Sequence, residues 1–223
     1  GEGGFVLGDG VARVRDDLDV PVLQFETETD LFGLLGFHRA SQDDTDMLRT
    51  WEAAGTAHAD QAILDYNREL ASDVGGGGGF DLAAMCGSIN TGPQAQVVRA
   101  ALSALRDWVV DGTTPPEAPR LEVEGEAIAR DERGIALGGI RTPGVDAPVS
   151  ILTGEAPVGR SILCTLFGDT VPFDDATIAS LYPSDDDYVT AVTESADAAV
   201  EAGFMLRADA DAMIDAAGEA QLR

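Results

Sequence analysis

Two stretches decide how this sequence is read: Pro21-Val22-Leu23-Gln24-Phe25-Glu26-Thr27-Glu28-Thr29-Asp30, and Trp51-Glu52-Ala53-Ala54-Gly55-Thr56-Ala57-His58-Ala59-Asp60. In the first, Val22 to Phe25 is an apolar, β-rich run bounded by polar residues. It reads as a buried strand ending near Glu26, and the acidic and Thr residues 26–30 read as a strand end running into a loop. Just before and into the second, Met47 to Glu52 alternates apolar and polar residues as a short strand does, and Ala54 to His58 reads as the turn leaving it. The order is therefore strand, acid, connection, strand, glycine, His. Asp30 and His58 are 58 − 30 = 28 residues apart. If a crossover containing a helix joins the two strands in a parallel sheet, both side chains emerge at the same carboxyl edge, where α/β enzymes keep their sites. A carboxylate that accepts an imidazole N–H fixes the tautomer and stabilises the imidazolium formed during proton transfer.

Outward from these stretches, Leu31 to Phe37 is apolar with two glycines and reads as a loop or weak helix. A helix is expected over residues 59–70, followed by a flexible connector at the glycine run Gly75 to Gly79. Pro93 opens the clearest helix, which Gly112 and Pro115-Pro116 stop. Its apolar face carries Val97, Val98, Ala101, Leu102, Leu105, Trp108 and Val109. Short β-like pieces follow at 121–128, 134–140 and 149–152, with a hairpin-turn signal at Asp131 to Gly134. Asp174 is placed to cap a short helix reaching Leu181. Ser184 and Asp187 have the spacing of a helix start, with Tyr188, Val189, Val192, Ala196, Ala199 and Val200 on the apolar face of a helix ending at Gly203. A last helix carries Ala210, Met213, Ile214 and Ala217.

The chain has 223 residues, a length for one domain or one domain plus an appendage, and is 44% hydrophobic, which sets it apart from disordered chains. All 14 basic residues are Arg, against 40 acidic ones, for a formal charge of −26. That charge excludes a non-specific nucleic-acid binder and argues against an anionic membrane surface as partner. The acidic residues run from Glu2 to Glu219 and read as a solvated shell, as in proteins working in the concentrated salt of a halophile's cytoplasm. A functional patch for a cationic partner is the rival reading. Gly1 in place of Met reads as a processed, trimmed or incomplete start, and no signal peptide opens the chain. Cys86 and Cys164 are too few for a disulfide scaffold or a metal framework; one bridge and two buried free thiols both fit.

The two stretches resemble, strand for strand, the last two strands of α/β-hydrolases: residues 21–30 are similar to the seventh strand and acid loop, and 51–60 to the eighth strand and the catalytic-His loop. The wider match resembles the family called alpha/beta hydrolase domain proteins. It rests on Ile89-Asn90-Thr91-Gly92-Pro93-Gln94, Gly138-Gly139-Ile140-Arg141-Thr142-Pro143, Leu166-Phe167-Gly168-Asp169-Thr170-Val171-Pro172-Phe173 and Leu181-Tyr182-Pro183, and covers nearly the whole chain. The resemblance implies a serine hydrolase, with His58 as base and Asp30 as the acid orienting it. Glu28 and Glu26 are the alternative acids.

In that fold the nucleophile sits in a Gly-x-Ser-x-Gly elbow that precedes the acid and the His, and no such elbow occurs in this sequence. Ser88 follows His58 and lacks the elbow; Ser41 lies between acid and His. The expectation is the carboxyl-terminal part of a longer hydrolase, acting on a small-molecule ester through an acyl-enzyme, with an amino-terminal half supplying nucleophile and oxyanion donors. Residues 1–118 would form the last strands and helix of the hydrolase sheet, and 119–223 a β-hairpin and helical extension. Missing strands would leave an exposed sheet edge and an exposed apolar helix face. No metal or organic cofactor is implied. Asp43-Asp44-Thr45-Asp46 resembles half a calcium loop without its Gly and distal Glu, and the glycine run lacks the Lys-Ser/Thr of a phosphate loop. His38 reads as a plain loop residue, Asp60 as a helix cap, and Trp51 and Trp108 as core. The competing reading is a non-catalytic acidic protein that binds or assembles through its surface or an open sheet edge.

Overall fold

The computed structural model describes residues 11–73 and 82–222. The glycine run 75–79, read above as a connector, lies outside them. Two strands form the frame. β1 (Val22–Thr27) pairs in parallel with β2 (Leu48–Ala53), in a register that sets Val22 beside Leu48 and Thr27 beside Ala53. Parallel pairing puts both carboxyl ends at one edge, and the chain leaves both strands there. The crossover contains no long helix. It holds one turn of α1 (Glu28–Leu31) and a 3-10 turn at Phe37–Ala40. Thr27 to Asp30 is thus a helix start rather than the loop expected. The Asp30 carboxylate reaches back to the Thr27 N–H and holds that turn closed.

Beyond β2 the sheet continues by a single parallel bridge between Ala53 and Ile140, in which the Ile140 N–H donates to the Glu52 carbonyl and the Ala54 N–H to the Ile140 carbonyl. On its other side β1 has no strand partner among the described residues. One face of the pair is covered by α4 (Gln94–Asp111), reached through α2 (Gln61–Asp73) and α3 (Leu82–Cys86). Trp51, Ala53, Val97, Ala100, Ala101, Ile140 and Phe204 form the cluster beneath it, with the Trp51 ring edge-on to Phe204 at 5.0 Å. Trp108 is also buried, under the Arg49 guanidinium.

The apolar stripe of α4 is wider than the face it buries. Val97, Ala101 and Trp108 point at the sheet, while Leu102 is 61% exposed and Val109 62%. Successive residues turn by roughly 100° around a helix, so Leu102 and Val109 sit about a third of a turn away from the buried row. Two strands and one bridge are too narrow to cover both rows.

After α4 the chain makes a small antiparallel hairpin, β3 (Val123–Glu124) with β4 (Ala127–Ile128). The Asp131 carboxylate accepts from the Arg133 and Ile135 N–H groups and turns the chain so that Arg130 bridges Ala136. Residues 134–140 make isolated bridges, not the continuous strand their composition suggested. α5 (Pro143–Asp146) leads into β5 (Ser150–Thr153), which pairs antiparallel with β6 (Asp169–Pro172). α6 (Asp175–Leu181) is capped by Asp174 accepting from the Thr177 N–H, and α7 (Asp185–Glu201) by Ser184 accepting from the Asp187 N–H. α7 and α8 (Arg207–Glu219) pack as a helical hairpin through Ala196, Ala199, Met205 and Ala210, with α7 against α5. Cys86 and Cys164 are joined in a disulfide, so the bridge is the alternative that holds, over free thiols. No helix among the described residues is long and apolar enough to cross a membrane.

Candidate active site

Asp30 and His58 meet at the carboxyl edge of the parallel pair. Asp30 sits in α1, immediately after β1, and His58 lies five residues past the end of β2. The His58 Nδ1 is 2.7 Å from Asp30 Oδ1. The other carboxylate oxygen of Asp30 accepts from the Thr27 N–H at 2.7 Å and the Thr27 hydroxyl at 2.6 Å. Asp30 is thereby fixed by its own strand end, one oxygen to the backbone and one to the imidazole. Its side chain is 11% exposed and that of His58 is 47% exposed, so the pair is solvated from the His side only. An imidazole that gives its Nδ1 proton to a carboxylate leaves Nε2 as the basic nitrogen.

The loop carrying His58 is clamped. Gly55, in the left-handed region at φ +73°, gives its N–H to Glu28 Oε1 at 2.6 Å and takes the Asn90 side-chain amide on its carbonyl at 3.1 Å. The Thr56 hydroxyl donates to the Ala53 carbonyl, and the Gln94 side-chain amide to the His58 carbonyl. Asp60 accepts the Ile63 N–H and caps α2; burial, partly offset by that hydrogen bond, raises its pKa above the usual carboxylate range.

The alternative acids are placed elsewhere. Glu28 has a fully buried side chain whose oxygens accept from Gly55, from the Gly154 N–H at 3.0 Å and from Arg130 Nη2 at 2.8 Å. Its carboxylate joins the His loop to the end of β5 and is not directed at His58. Burial works against the Arg130 charge, but the adjacent Glu28 carboxylate, then Glu155, holds that guanidinium above its ordinary pKa. Glu26, beside Glu52 in the register, is pushed up to about 8 by burial and then by the charges of Asp30 and Glu52. Glu52 itself accepts from the Leu121 N–H and from Arg120.

His38 stands exposed on the 3-10 turn with its ring against Phe32. Ser88 exchanges hydrogen bonds with the Thr170 backbone, its hydroxyl donating to the carbonyl at 2.7 Å and accepting from the N–H at 3.1 Å. Among the described residues no hydroxyl is hydrogen-bonded to His58. Asp44 of the half calcium loop is occupied by Arg120 and the Thr50 N–H, and no group of three or more His, Cys, Asp or Glu is placed to hold a metal among the described residues. Sequence reasoning passed over Asn90, Arg130 and Glu52. Asn90 lay within a stretch quoted for its resemblance, but nothing in one sequence marks an Asn as buried.

A family model described as Alpha/beta hydrolase domain matches residues 6–215. No curated protein and no solved structure matches the chain. With nearly the whole sequence covered by that match, and a carboxylate and a His facing each other beyond adjacent parallel strands, the chain belongs to the alpha/beta hydrolase domain family.

Proposed function

We propose that this chain supplies the acid and base of a serine hydrolase that cleaves carboxylic esters through an acyl-enzyme. The observation that carries the reading is the 2.7 Å contact between His58 Nδ1 and Asp30 Oδ1 at the carboxyl edge of β1 and β2. In the reaction, a serine hydroxyl attacks the ester carbonyl carbon and its proton passes to His58 Nε2. The carbon–alkoxy bond then breaks, and the alcohol leaves with that proton. Water repeats the sequence on the acyl-serine, releasing the acid and restoring both groups. Asp30 holds the tautomer and stabilises the imidazolium in each half.

The serine is outside the described residues in this reading. The edge of β1 that has no strand partner among the described residues, and the exposed Leu102, Val109 and Val110, are where an amino-terminal half bearing it would pack. The acidic surface supports activity in concentrated salt. The test is ester hydrolysis and fluorophosphonate labelling of the full-length protein in molar KCl, beside His58→Ala and Asp30→Asn. One labelled serine is expected, with turnover lost in His58→Ala and reduced roughly 10⁴-fold in Asp30→Asn. Near-wild-type turnover in His58→Ala removes His58 from the mechanism. A folded full-length protein that neither takes the label nor cleaves esters favours the second reading, an acidic binding or assembly protein acting through the same open edge.

A further inference from the structure

Both ends of the loop carrying His58 rest on one residue outside it. Asn90 is fully buried, and every polar group it has is engaged. Its side-chain amide donates to the Gly55 carbonyl at 3.1 Å and the Thr153 carbonyl at 3.0 Å. Its side-chain oxygen accepts the Gly92 N–H at 2.6 Å. Its backbone carbonyl accepts from the Gln61 N–H at 2.8 Å, and its backbone N–H donates to the Phe167 carbonyl at 2.9 Å. Gly55 and Gln61 bracket His58, three residues away on either side. A second tie from the same neighbourhood, the Ala59 N–H to the Leu166 carbonyl at 2.9 Å, holds the residue next to His58.

The packing leaves this arrangement no slack. A Cβ on Gly92 would lie 2.1 Å from the Gly55 carbonyl oxygen, and one on Gly168 would lie 2.2 Å from the Thr153 carbonyl oxygen and 2.8 Å from the Ala57 Cβ. The two arms that meet at Asn90 are also joined covalently. Cys86 lies four residues before Asn90 and Cys164 three before Phe167, and the bridge between them is packed with Ile89 and Phe167.

We propose that Asn90 is the positioning residue for His58, and that the Cys86–Cys164 bridge keeps it in place. The proposal rests on the reading of His58 as the base. Asn90 touches neither the imidazole nor Asp30; it acts by fixing Gly55 and Gln61, and so where the ring of His58 lies relative to Asp30. A half-exposed ring has few contacts of its own, and its place is set by the backbone beneath it.

The test reads the imidazole directly. His38 and His58 are the only histidines in the chain, so ring N–H protons are assigned by proton NMR with His38→Gln, and His38 serves as the internal control. In the wild-type protein the His58 Nδ1 proton is expected to be protected by Asp30. In Asn90→Asp, which keeps the shape and loses the two donated bonds, exchange of that proton with water is expected to be at least about tenfold faster, the factor for one buried hydrogen bond. The His38 signals and the far-UV circular dichroism are expected to stay as they are. Opening the bridge with dithiothreitol, which closes to its own cyclic disulfide as Cys86 and Cys164 become thiols, is expected to do the same. A protected His58 proton that exchanges at the wild-type rate in either folded protein overturns the proposal. Loss of the fold in both also overturns it, because Asn90 then serves the whole fold and not His58. A wild-type protein with no protected His58 proton sinks the base reading itself, and this proposal with it; that failure is separate from one confined to the variants.

Discussion

Glu26 and Glu52 are partners in the parallel register of β1 and β2, two carboxyl groups side by side at the edge where Asp30 also lies. They are not equivalent. Glu52 is paired with Arg120 and accepts the Leu121 N–H, whereas burial pushes Glu26 up to about 8, with the charges of Asp30 and Glu52 adding to it. The folded chain therefore holds a proton on Glu26 that the unfolded chain, with its ordinary value of 4.5, has already released. Stability from this residue is full below about pH 4.5 and is lost as pH rises towards 8. Glu26→Gln is expected to match the wild type at pH 5 and to melt higher at pH 9. The gain is on the order of 1–2 kcal/mol, below the full linkage value because the side chain keeps some solvent contact. Thermal melts at the two pH values decide it, and equal melting at pH 9 contradicts the raised pKa.

The Glu28–Arg130 pair predicts a larger loss. Glu28→Gln leaves the Arg130 guanidinium, 18% exposed, with only the exposed Glu155 carboxylate at 3.4 Å as charge partner and weakens the hold on Gly55. Breaking a buried pair from one side costs about 3–5 kcal/mol, so the midpoint of urea unfolding should fall clearly. The double variant Glu28→Gln, Arg130→Met should recover part of the loss. A Glu28→Gln midpoint equal to the wild type would mean the pair is solvated.

Thr27 predicts an effect on turnover with little effect on stability. Its hydroxyl fixes one oxygen of Asp30 at 2.6 Å. Under the mechanism proposed above, Thr27→Val is expected to lower kcat about tenfold with KM nearly unchanged, because the backbone N–H of residue 27 still holds the carboxylate. Steady-state ester kinetics separate the two parameters, and a change confined to KM would argue against this account.

Salt should stabilise the fold. At −26, with the Arg15–Asp17, Arg68–Asp65 and Arg207–Asp197 pairs in solvent, screening relieves far more repulsion than it removes attraction. The melting temperature is expected to climb steadily between 0.1 M and 3 M KCl. A fall over that range would count against the acidic shell as a salt adaptation.

Much of the site was legible because it is local to two strand ends. Val22 to Phe25 and Leu48 to Glu52 announce their strands by composition, and the Gly before His58 announces the turn. The choice among Glu26, Glu28 and Asp30 was not legible from the residues alone, and only the resemblance put Asp30 first. It depends on a single helical turn, around which Glu28 and Asp30 diverge by roughly 200°. Glu28 then faces Gly55 and Arg130, and Asp30 faces His58. The capping spacing from Thr27 to Asp30 is the clue the sequence offers, masked by the five polar residues 26–30 that read as loop. The bridge from Ala53 to Ile140 and the pairing of Cys86 with Cys164 join residues far apart in sequence, and neither leaves a local signature. The apolar row of α4 exceeds the width of the sheet beneath it, which leaves an exposed apolar helix face of the kind expected from the sequence.

The Cys86–Cys164 bridge, with its ends 78 residues apart, makes a covalent ring of α4, the β3–β4 hairpin, α5 and β5. Between β5 and Cys164 the ring includes exposed positions such as Val158, Arg160 and Ile162, which offer a protease an easy cut. A chain nicked there does not come apart: both products stay tethered and migrate as one band until a reductant is added. Ring closure also restricts the unfolded chain, by about 4.5 kcal/mol on the chain-entropy account. A nick inside the ring cancels that restriction while leaving the folded contacts intact. Damage at this loop should therefore surface as easier unfolding long before it surfaces as a missing piece.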